Sequence, residues 1–501
     1  MAPRGLNGRA ADAMAALDEQ MRHHDRLCAE VDRGWRAYKG VMEARSEAAQ
    51  WTHKITPPYA EHIVEMTIAA MLDERLRFKI KPRPRMYNQG EYALRAKGAK
   101  AHQVLLDWQM RNDRFDEKQR PLVLQERIAG VSPLKVYWRT STRLKRRLRW
   151  GSEPVFDPAT GMPLGEIPTV EQVDEPDVLY DGPCVEVVNV QDFLYDQSAV
   201  SLERCALVAH RTWPTFEELK RLENAYPGVY RAVDELKESR DFGQDTRYGA
   251  DGEHDRTRGR IEVWEIYRRE DGKIRVYTVA NRNVLLAERD NPYWHAEFPF
   301  VVFSAQQEPF KVRGRAQIDR IRAIQEAVWS FGNLRLDATL LATMPILMFS
   351  ADYEDPDAFK FEPWARNVVD HADQVKMWAP EPQVAQNSLA AESILKQDMQ
   401  NLAGGFPFTS TSEARSVEAN TATEASLVAS IAQRSIVSAK TTLYQAYERV
   451  GQMMLDLNQQ YVREPVYVDV VGLDERAEQM LILPQLLEGD FAFTIEPMTE
   501  S

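Results

Sequence analysis

The chain has 501 residues, of which 44% are hydrophobic and 28% are charged, and its formal net charge at pH 7 is −13. One ordinary hydrophobic core does not fill this length, so several structural units are expected. The negative charge argues against a protein that coats nucleic acid, because binding by phosphate neutralisation requires a basic surface.

Cysteine usage and hydropathy argue against a disulfide-stabilised, zinc-binding, secreted or membrane-spanning protein. The three cysteines, Cys28, Cys184 and Cys205, share no CxxC spacing, which indicates neither a disulfide framework nor a zinc site. The amino-terminal segment lacks the apolar run of a signal peptide, and the longest uncharged run, residues 338–351, is too short to span a bilayer. We therefore expect a soluble protein of a reducing cytoplasm, with no metal and no cofactor.

The first 130 residues are predicted to be helical. Apolar residues recur there at intervals of three and four, as in ADAMAALDEQMRHHDRLCAEV, and a further helix is expected after Pro57 and Pro58. The chain then changes to short alternating runs, including LKVYWRTST and RLKRRLRW, which predict short strands. The Asp271-Gly272 pair lies between two such runs and predicts a hairpin turn.

Two helices with an insertion between them are predicted after Gly314. The first covers residues 315–344 and ends at Pro345, because proline cannot continue a helix. The insertion, residues 345–383, is acidic and holds five prolines. The second helix covers residues 388–403 and ends before two glycines, which favour a left-handed cap.

A third, much longer helix is predicted from Thr421 to Tyr461. Thr421 and Glu424 have the spacing of a capping box, in which each side chain bonds a backbone N–H at the helix start. Its length is about 60 Å at 1.5 Å per residue. Apolar residues in steps of four and three form either a heptad-like seam or an ordinary core stripe: Ala432, Ile436, Ala439, Leu443, Ala446, Val450, Met453 and Leu457.

Motifs for catalysis are missing from the sequence. It contains no phosphate loop, no HExxH and no GxSxG, so an enzyme is not predicted. The acidic cluster 354–357 fits a solvated loop better than a Mg²⁺ site. The basic run 143–150 is interpreted as a solvated hairpin in preference to a phosphate contact, and His210 as a structural residue in preference to a base.

The order of these parts resembles that of tailed-bacteriophage portal proteins, the head-to-tail connector family. Four strings carry the resemblance, and their order is more specific than any one of them: WTHKITPPYAEHIVEMTIAAML, VVNVQDFLYDQSAVSLERCALVAH, NPYWHAEFPFVVFSAQQEPFKVRGRAQIDRIRAIQEAVWSFGNLRLDA and NTATEASLVASIAQR. The resemblance implies an α+β fold with a helical and β-rich wing, a two-helix stem, a small α/β clip, and a very long helix preceded by a tunnel loop.

The resemblance also implies a set of boundaries. They are a wing of residues 1–312, helical to about 130; a stem helix, 313–344; a clip, 345–385; a second stem helix, 386–403; a tunnel loop, 404–420; a long wing helix, 421–462; and carboxyl-terminal wing strands, 463–501, with the crown minimal or absent.

A ring at one capsid vertex is the function that the resemblance implies. The ring, commonly of twelve subunits, conducts double-stranded DNA during packaging and ejection, and it has no enzymatic activity. The implied partners are further copies of the chain, double-stranded DNA, the terminase large subunit, head-to-tail adaptor proteins, the major capsid protein and a scaffold protein, with no membrane. The implied location is the virion, and the host cytoplasm during assembly.

Two groups of site residues follow from this mapping. The tunnel loop is expected to face DNA through Thr409, Ser410, Thr411, Ser412 and Arg415. Arg415 is the only cation of that loop and the first candidate for a phosphate contact.

The clip is expected to dock terminase and adaptors through Glu354, Asp355, Asp357, Trp364 and Trp378. The two tryptophans suit an interface because aromatic residues dominate binding hot spots, and they equally suit the clip's own small core. Two other function classes remain as alternatives. These are an enzyme subunit of the packaging machinery, and a helical scaffold without a channel.

Overall fold

The computed structural model describes residues 8–41, 52–74, 76–83, 89–156, 163–226, 228–239, 260–344, 346–350, 371, 373, 375–402, 422–471 and 477–497. The helices are α1 (Gly8–Tyr38), α2 (Tyr59–Met71), α3 (Gln89–Asn112), α4 (Phe115–Ala129), α5 (Phe216–Ala225), α6 (Gln317–Thr343), α7 (Pro382–Leu402), α8 (Ala422–Tyr461) and α9 (Pro484–Leu487). The strands are β1 (Leu76–Pro82), β2 (Ser132–Phe156), β3 (Pro163–Val187), β4 (Phe193–Tyr195), β5 (Leu207–Thr212), β6 (Val263–Glu270), β7 (Lys273–Ala280), β8 (Val284–Asp290), β9 (Phe300–Phe303), β10 (Ile346–Phe349), β11 (Val375–Trp378), β12 (Val466–Val471), β13 (Ala477–Ile482) and β14 (Phe491–Pro497). The fold is therefore mixed α+β, as predicted.

The three helices predicted after Gly314 are confirmed. Helix α6 agrees with the prediction to within two residues at each end, whereas α7 begins six residues earlier than expected. Helix α8 runs to Tyr461 and begins at Ala422. Thr421, the first residue of the predicted capping box, lies outside the described residues.

The largest hydrophobic core surrounds α8. Leu443, Val450 and Leu457 are each 1% exposed or less, and they contact buried residues of α2, α3, α4, β2 and β14. From Ile436 onward the predicted apolar seam is therefore a stripe of the chain's own core, which favours the second of the two interpretations. Gly451 lies against the ring of Phe493, where a Cβ would be 2.5 Å from ring carbons, so β14 packs close to the helix.

A five-stranded antiparallel sheet, in the order β4-β5-β6-β7-β8, forms the middle of the chain. Helix α1 covers one face through residues such as Met14 and Leu17, and Phe300 packs on the other face. The β6–β7 hairpin turns at Asp271 and Gly272, whose φ angles are 49° and 78°. Two consecutive positive φ angles match the tight turn that the Asp-Gly pair predicts.

Strands β2 and β3 form one long antiparallel hairpin of 25 residues each. The prediction of separate short strands in this region is therefore wrong. Residues 134–150 contain no glycine or proline that would end a strand. The register shift between Ser141 and Thr142 is a bulge-like irregularity, which kinks the ladder without ending it, and a second shift lies between Val155 and Phe156 at the outer end. Strand β9 pairs with the first residues of β2 and ties the hairpin to the body.

Candidate assembly elements

Helix α6 carries a stripe of side chains at intervals of four residues: Gln325, Trp329, Asn333 and Asp337. Residues four apart lie on one face of a helix. This stripe binds the backbone of residues 52–60, an irregular segment that leads into the first turn of α2 and that we call the strap. The contacts join positions more than 260 residues apart in the chain.

Two buried amides of the stripe each make one accepted and one donated hydrogen bond to the backbone. The Gln325 side chain accepts a hydrogen bond from Ala60 N at 2.7 Å and donates one to the Ala37 carbonyl at 2.8 Å. Asn333 accepts from Ile55 N at 2.9 Å and donates to the Ile55 carbonyl at 3.1 Å. The stripe thus satisfies backbone groups that no regular element pairs. Further contacts are Trp329 Nε1 to the Pro57 carbonyl at 2.8 Å, and His53 N and Nδ1 to Asp337 Oδ1 at 2.8 Å and 2.7 Å.

Helices α6 and α7 pack against each other and are joined by an ion-pair cluster. The Glu392 carboxylate, whose side chain is only 7% exposed, lies 2.9 Å from Arg335 and 2.7 Å from Lys396. The Lys396 ammonium also lies 5.0 Å from the centre of the Tyr59 ring, at the end of the strap. Because Met399 is fully buried among α6 residues, the pair is anchored at that end to the body.

Strands β10 and β11 lie between these two helices in the chain and pair with each other. Ile346 is opposite Trp378 in the register, and Met348 is two residues further along. Adjacent positions of this kind share one side of a ribbon. The three side chains are 47%, 49% and 47% exposed in the order Ile346, Trp378 and Met348, so this side offers an apolar surface.

Most of the predicted site residues lie outside the described residues. These are Thr409, Ser410, Thr411, Ser412 and Arg415 of the tunnel loop, and Glu354, Asp355, Asp357 and Trp364 of the clip. Trp378 is described, and its exposure is greater than that of a core residue. The sequence pattern did not single out the strap contacts, although the four-residue spacing of the α6 stripe was a signal for them.

The outer half of the β2–β3 hairpin, which we call the ribbon, comprises residues 142–156 and 163–178. Its basic run faces acidic residues across the register, and Asp177 lies 3.4 Å from Arg143 and 3.3 Å from Arg147. On the other side Arg146 lies 3.5 Å from Asp174. These pairs agree with the interpretation of the run as a solvated hairpin.

The inner half of the same hairpin holds a buried charge cluster. The Lys135 ammonium on β2 lies 2.5 Å from a Glu265 oxygen on β6 and 3.3 Å from His210 Nδ1 on β5. Burial opposes the ionisation of Glu265, but the charge of Lys135 outweighs it and lowers the pKa of that carboxyl to about 2. Burial and then the Lys135 charge lower the pKa of His210 to about 3. His210 is therefore a neutral structural residue, as predicted.

Two features that would indicate a binding site or a membrane span are absent from the described part of the chain. No group of three or more histidine, cysteine, aspartate or glutamate side chains is arranged there to hold a metal ion. Among the described helices, none is both long enough and apolar enough to cross a membrane.

Comparison with known proteins gives one family. The model described as phage SU10 portal protein matches residues 152–495, about two thirds of the chain. The match begins in the ribbon, ends in β14, and includes the α6–α7 pair, the strands between these helices, and α8. No curated protein matches the sequence.

Proposed function

The chain belongs to the phage SU10 portal protein family, and from this premise we propose that it forms a ring through which double-stranded DNA enters and leaves the capsid. Portal proteins are structural, non-enzymatic connectors, so the family does not support an enzyme of the packaging machinery. The observation that carries the proposal is the family match across the α6–α7 pair, the β10–β11 strands and α8. The family supports a position at the portal vertex of the virion, and we propose that the ring assembles in the host cytoplasm.

Charge and shape support this proposal. A ring of identical subunits needs two different surfaces on each subunit that fit each other, and long helices present such surfaces. A channel for DNA must not bind its cargo tightly, and a chain with a net charge of −13 repels the duplex along most of its surface. From the order of these elements in the chain, we assign the α6–α7 pair to the stem and the β10–β11 strands to the clip.

Electron microscopy and native mass measurement of the purified full chain test the ring. We expect closed rings, of twelve subunits in the commonest form, with an axial opening wider than a DNA duplex. Filaments without an opening would support the scaffold alternative. Monomers that cut DNA in the presence of divalent cations would support the enzyme alternative, and either result would overturn the ring proposal.

The tunnel loop is proposed to meet DNA through Thr409, Ser410, Thr411, Ser412 and Arg415. Replacing the only cation of the loop, Arg415→Ala, is expected to change the packaging rate or genome retention while rings still form. The matched control is Arg22→Ala, which removes the same charge from an exposed position on α1. Wild-type packaging and retention in Arg415→Ala rings would show that this side chain is not used.

The clip is proposed to dock the terminase large subunit and the adaptor proteins through Trp378, together with Glu354, Asp355, Asp357 and Trp364. Trp378 is 49% exposed in the isolated subunit, which favours docking over a core role. We expect Trp378→Ala to weaken terminase binding to assembled rings at least about thirtyfold, the loss typical of a hot spot. Trp294→Ala, at a residue that is 68% exposed, is the control. Proteolytic opening of the clip in Trp378→Ala, without a selective loss of binding, would assign the residue to the core.

A further inference from the structure

Helix α2 lies between two separate hydrophobic clusters. One cluster holds Ala60 and Ile63 of α2 with buried residues of α6 and α7. The other holds Val64, Ile68 and Met71 of α2 with buried residues of α8. Among the described helices, only α2 packs extensively on both α6 and α8, and these two helices do not pack extensively on each other. Helix α2 therefore joins the α6–α7 pair to α8.

Two buried amide side chains of α6 fix α2 in place. Gln325 accepts a hydrogen bond from Ala60 N at 2.7 Å, and Gln317 Nε2 donates one to Thr67 Oγ1 at 2.9 Å. All three side chains involved are buried. Breaking such a bond leaves a buried polar group without a partner, so the bonds hold α2 at one position along α6.

A charge cluster, which we call the latch, joins the other end of α2 to α8. The Lys440 ammonium lies 2.5 Å from Asp73 Oδ1 and 2.8 Å from Glu74 Oε1. The Tyr444 hydroxyl donates a hydrogen bond to Glu74 Oε2 at 3.0 Å. The two acids follow the carboxyl end of α2, where the helix dipole disfavours negative charge, and Lys440 supplies a compensating cation from α8. Lys440 is only 7% exposed, so the latch is a partly desolvated contact.

The latch lies where α8 enters the hydrophobic core. Ala439 is the first buried residue of α8 among those whose side chains the structure describes, and buried apolar residues recur from there to Leu457. The helix begins at Ala422, about 27 Å before Lys440 at 1.5 Å per residue. Over that length a tilt of about 5° moves the start of the helix by about 2 Å. A contact at Lys440 therefore strongly affects where the amino-terminal part of α8 lies.

We propose that α2 and the latch form a positioning link, which holds the amino-terminal part of α8 in place relative to the α6–α7 pair. The inference rests on the proposed function, in which the α6–α7 pair is the stem and residues 404–420, directly before α8, are the tunnel loop. It adds the contacts through which a shift of the stem reaches the helix that follows the loop. Lys440, Asp73 and Glu74 are then positioning residues of the channel.

Hydrogen exchange of the full chain tests the link within one subunit. Lys440→Met is expected to make the amides of residues 422–443 exchange at least about tenfold faster, the loss expected for a hydrogen bond to a charged group. Amides of the five-stranded sheet should keep their wild-type rates. The control is Lys79→Met, which removes an exposed ion pair with Glu496 at 3.2 Å and should leave α8 unchanged. Wild-type protection of α8 in Lys440→Met would overturn the link.

A second variant breaks the latch from its exposed side, in case Lys440→Met does not fold. Asp73→Ala with Glu74→Ala removes both carboxylates, whose side chains are 58% and 40% exposed. The same faster exchange of α8 is expected, because Lys440 then has no anionic partner in the latch. Wild-type protection of α8 in this variant would overturn the link as well.

A double-variant cycle tests whether α2 connects α6 to α8. Gln325→Leu breaks the bond to Ala60 and is expected to speed exchange of residues 422–443 at least about threefold. In combination with Lys440→Met it should add nothing, because the latch is already broken. Gln386→Leu, at an exposed position of α7, is the control. An effect of Gln325→Leu confined to the strap, or additive effects of the two variants, would overturn the link.

Packaging measurements separate the link from the proposed channel. Rings of Lys440→Met are expected to package DNA more slowly, or to retain it less well, than rings of Lys79→Met. Faster exchange of α8 together with wild-type packaging and retention would overturn the role of the latch in the channel and leave the ring proposal standing. Failure of the unmodified chain to form rings would overturn the proposed function, whereas the exchange rates decide the link between α2 and α8 in either case.

Discussion

The two halves of strand β2 place the same types of charged pair in opposite surroundings. In the inner half, Lys135 lies 2.5 Å from Glu265, and the two side chains are 11% and 18% exposed. In the outer half, Arg143 and Arg147 share Asp177 at 3.4 Å and 3.3 Å, and both arginine side chains are 54% exposed. One strand thus contains a buried ion pair and an exposed one.

The comparison shows that surroundings, more than distance, decide what an ion pair contributes. Removing one partner of a buried pair leaves a charge without compensation and costs about 3–5 kcal/mol. Exposed pairs are screened by water and salt, and they contribute about 0–1 kcal/mol. We therefore expect substitutions in the inner half to affect folding and substitutions in the outer half to have little effect.

The largest effect is expected for Lys135→Met. This change leaves the Glu265 carboxylate buried without its cation and should lower the free energy of unfolding by about 3–5 kcal/mol. Thermal and denaturant unfolding of the purified chain measure it, with Lys145→Met on the outer half of the same strand as control.

A rescue variant sharpens this test. In Lys135→Met with Glu265→Leu the unpaired carboxylate is gone, so most of the lost stability should return. Equal effects of Lys135→Met and Lys145→Met, or no recovery in the double variant, would contradict the distinction between the two halves.

A buried contact without charge should give an intermediate effect. Asn333→Leu removes both hydrogen bonds to Ile55 and leaves two backbone groups of the strap unpaired. Each unsatisfied group costs about 1–3 kcal/mol, so the strap should also become sensitive to proteases. Unfolding and limited proteolysis measure the two effects, with Asn112→Leu at an exposed position as control. Unchanged protease resistance of residues 52–60 would show that the α6 stripe does not hold the strap.

The buried cluster should also make stability depend on pH. His210 stays neutral in the folded chain because its pKa is lowered to about 3, whereas the unfolded chain protonates it near 6.5. Acidification below 6.5 therefore favours the unfolded chain by about 1.4 kcal/mol per pH unit. The pKa of Glu265 is lowered to about 2, whereas an unperturbed glutamate has a pKa of about 4.3. Its contribution to the free energy of unfolding is therefore lost only as the pH falls below about 4.3.

Unfolding of His210→Gln between pH 7 and pH 5 isolates the histidine. The variant should lose less stability on acidification than the wild type, because its side chain binds no proton in either state. His23→Gln, at an exposed position of α1, is the control for replacing a histidine by glutamine elsewhere in the chain. If the free energy of unfolding changes with pH equally in His210→Gln and the wild type, His210 does not cause the pH dependence.

The smallest effect is expected for Asp177→Asn in the ribbon. The change removes the shared partner of Arg143 and Arg147 and should alter the free energy of unfolding by about 1 kcal/mol or less. High salt should remove even this difference, because it screens exposed charges. If Asp177→Asn lowered the free energy of unfolding as much as Lys135→Met does, the ion pairs of the ribbon would not be solvated.

Helices and turns were the predictable part of the fold. The period of apolar residues and the nearby proline place α6 to within two residues, and Asp271-Gly272 marks the β6–β7 turn. The length of β2 was not predictable in this way, because a strand continues as long as a distant partner pairs with it. The strap was missed for the same reason, since its contacts with Gln325 and Asn333 join segments far apart in sequence.

The candidate site was predictable only through the family resemblance. The family resemblance singled out the tunnel loop around Arg415 and the clip around Trp378 from sequence strings and their order. These assignments remain predictions.

The sequence by itself determined the helices, the Asp-Gly turn, the acidic balance and the resemblance to portal proteins, because these depend on residues close together in the chain. The tertiary structure decided that Lys135 is buried while Arg143 is exposed, although both are basic residues of one strand. Burial depends on which distant segments cover a residue, here β5 and β6 at the inner half of the hairpin. The free energy of a charge depends on that covering, and so only the folded chain assigns each charge its effect.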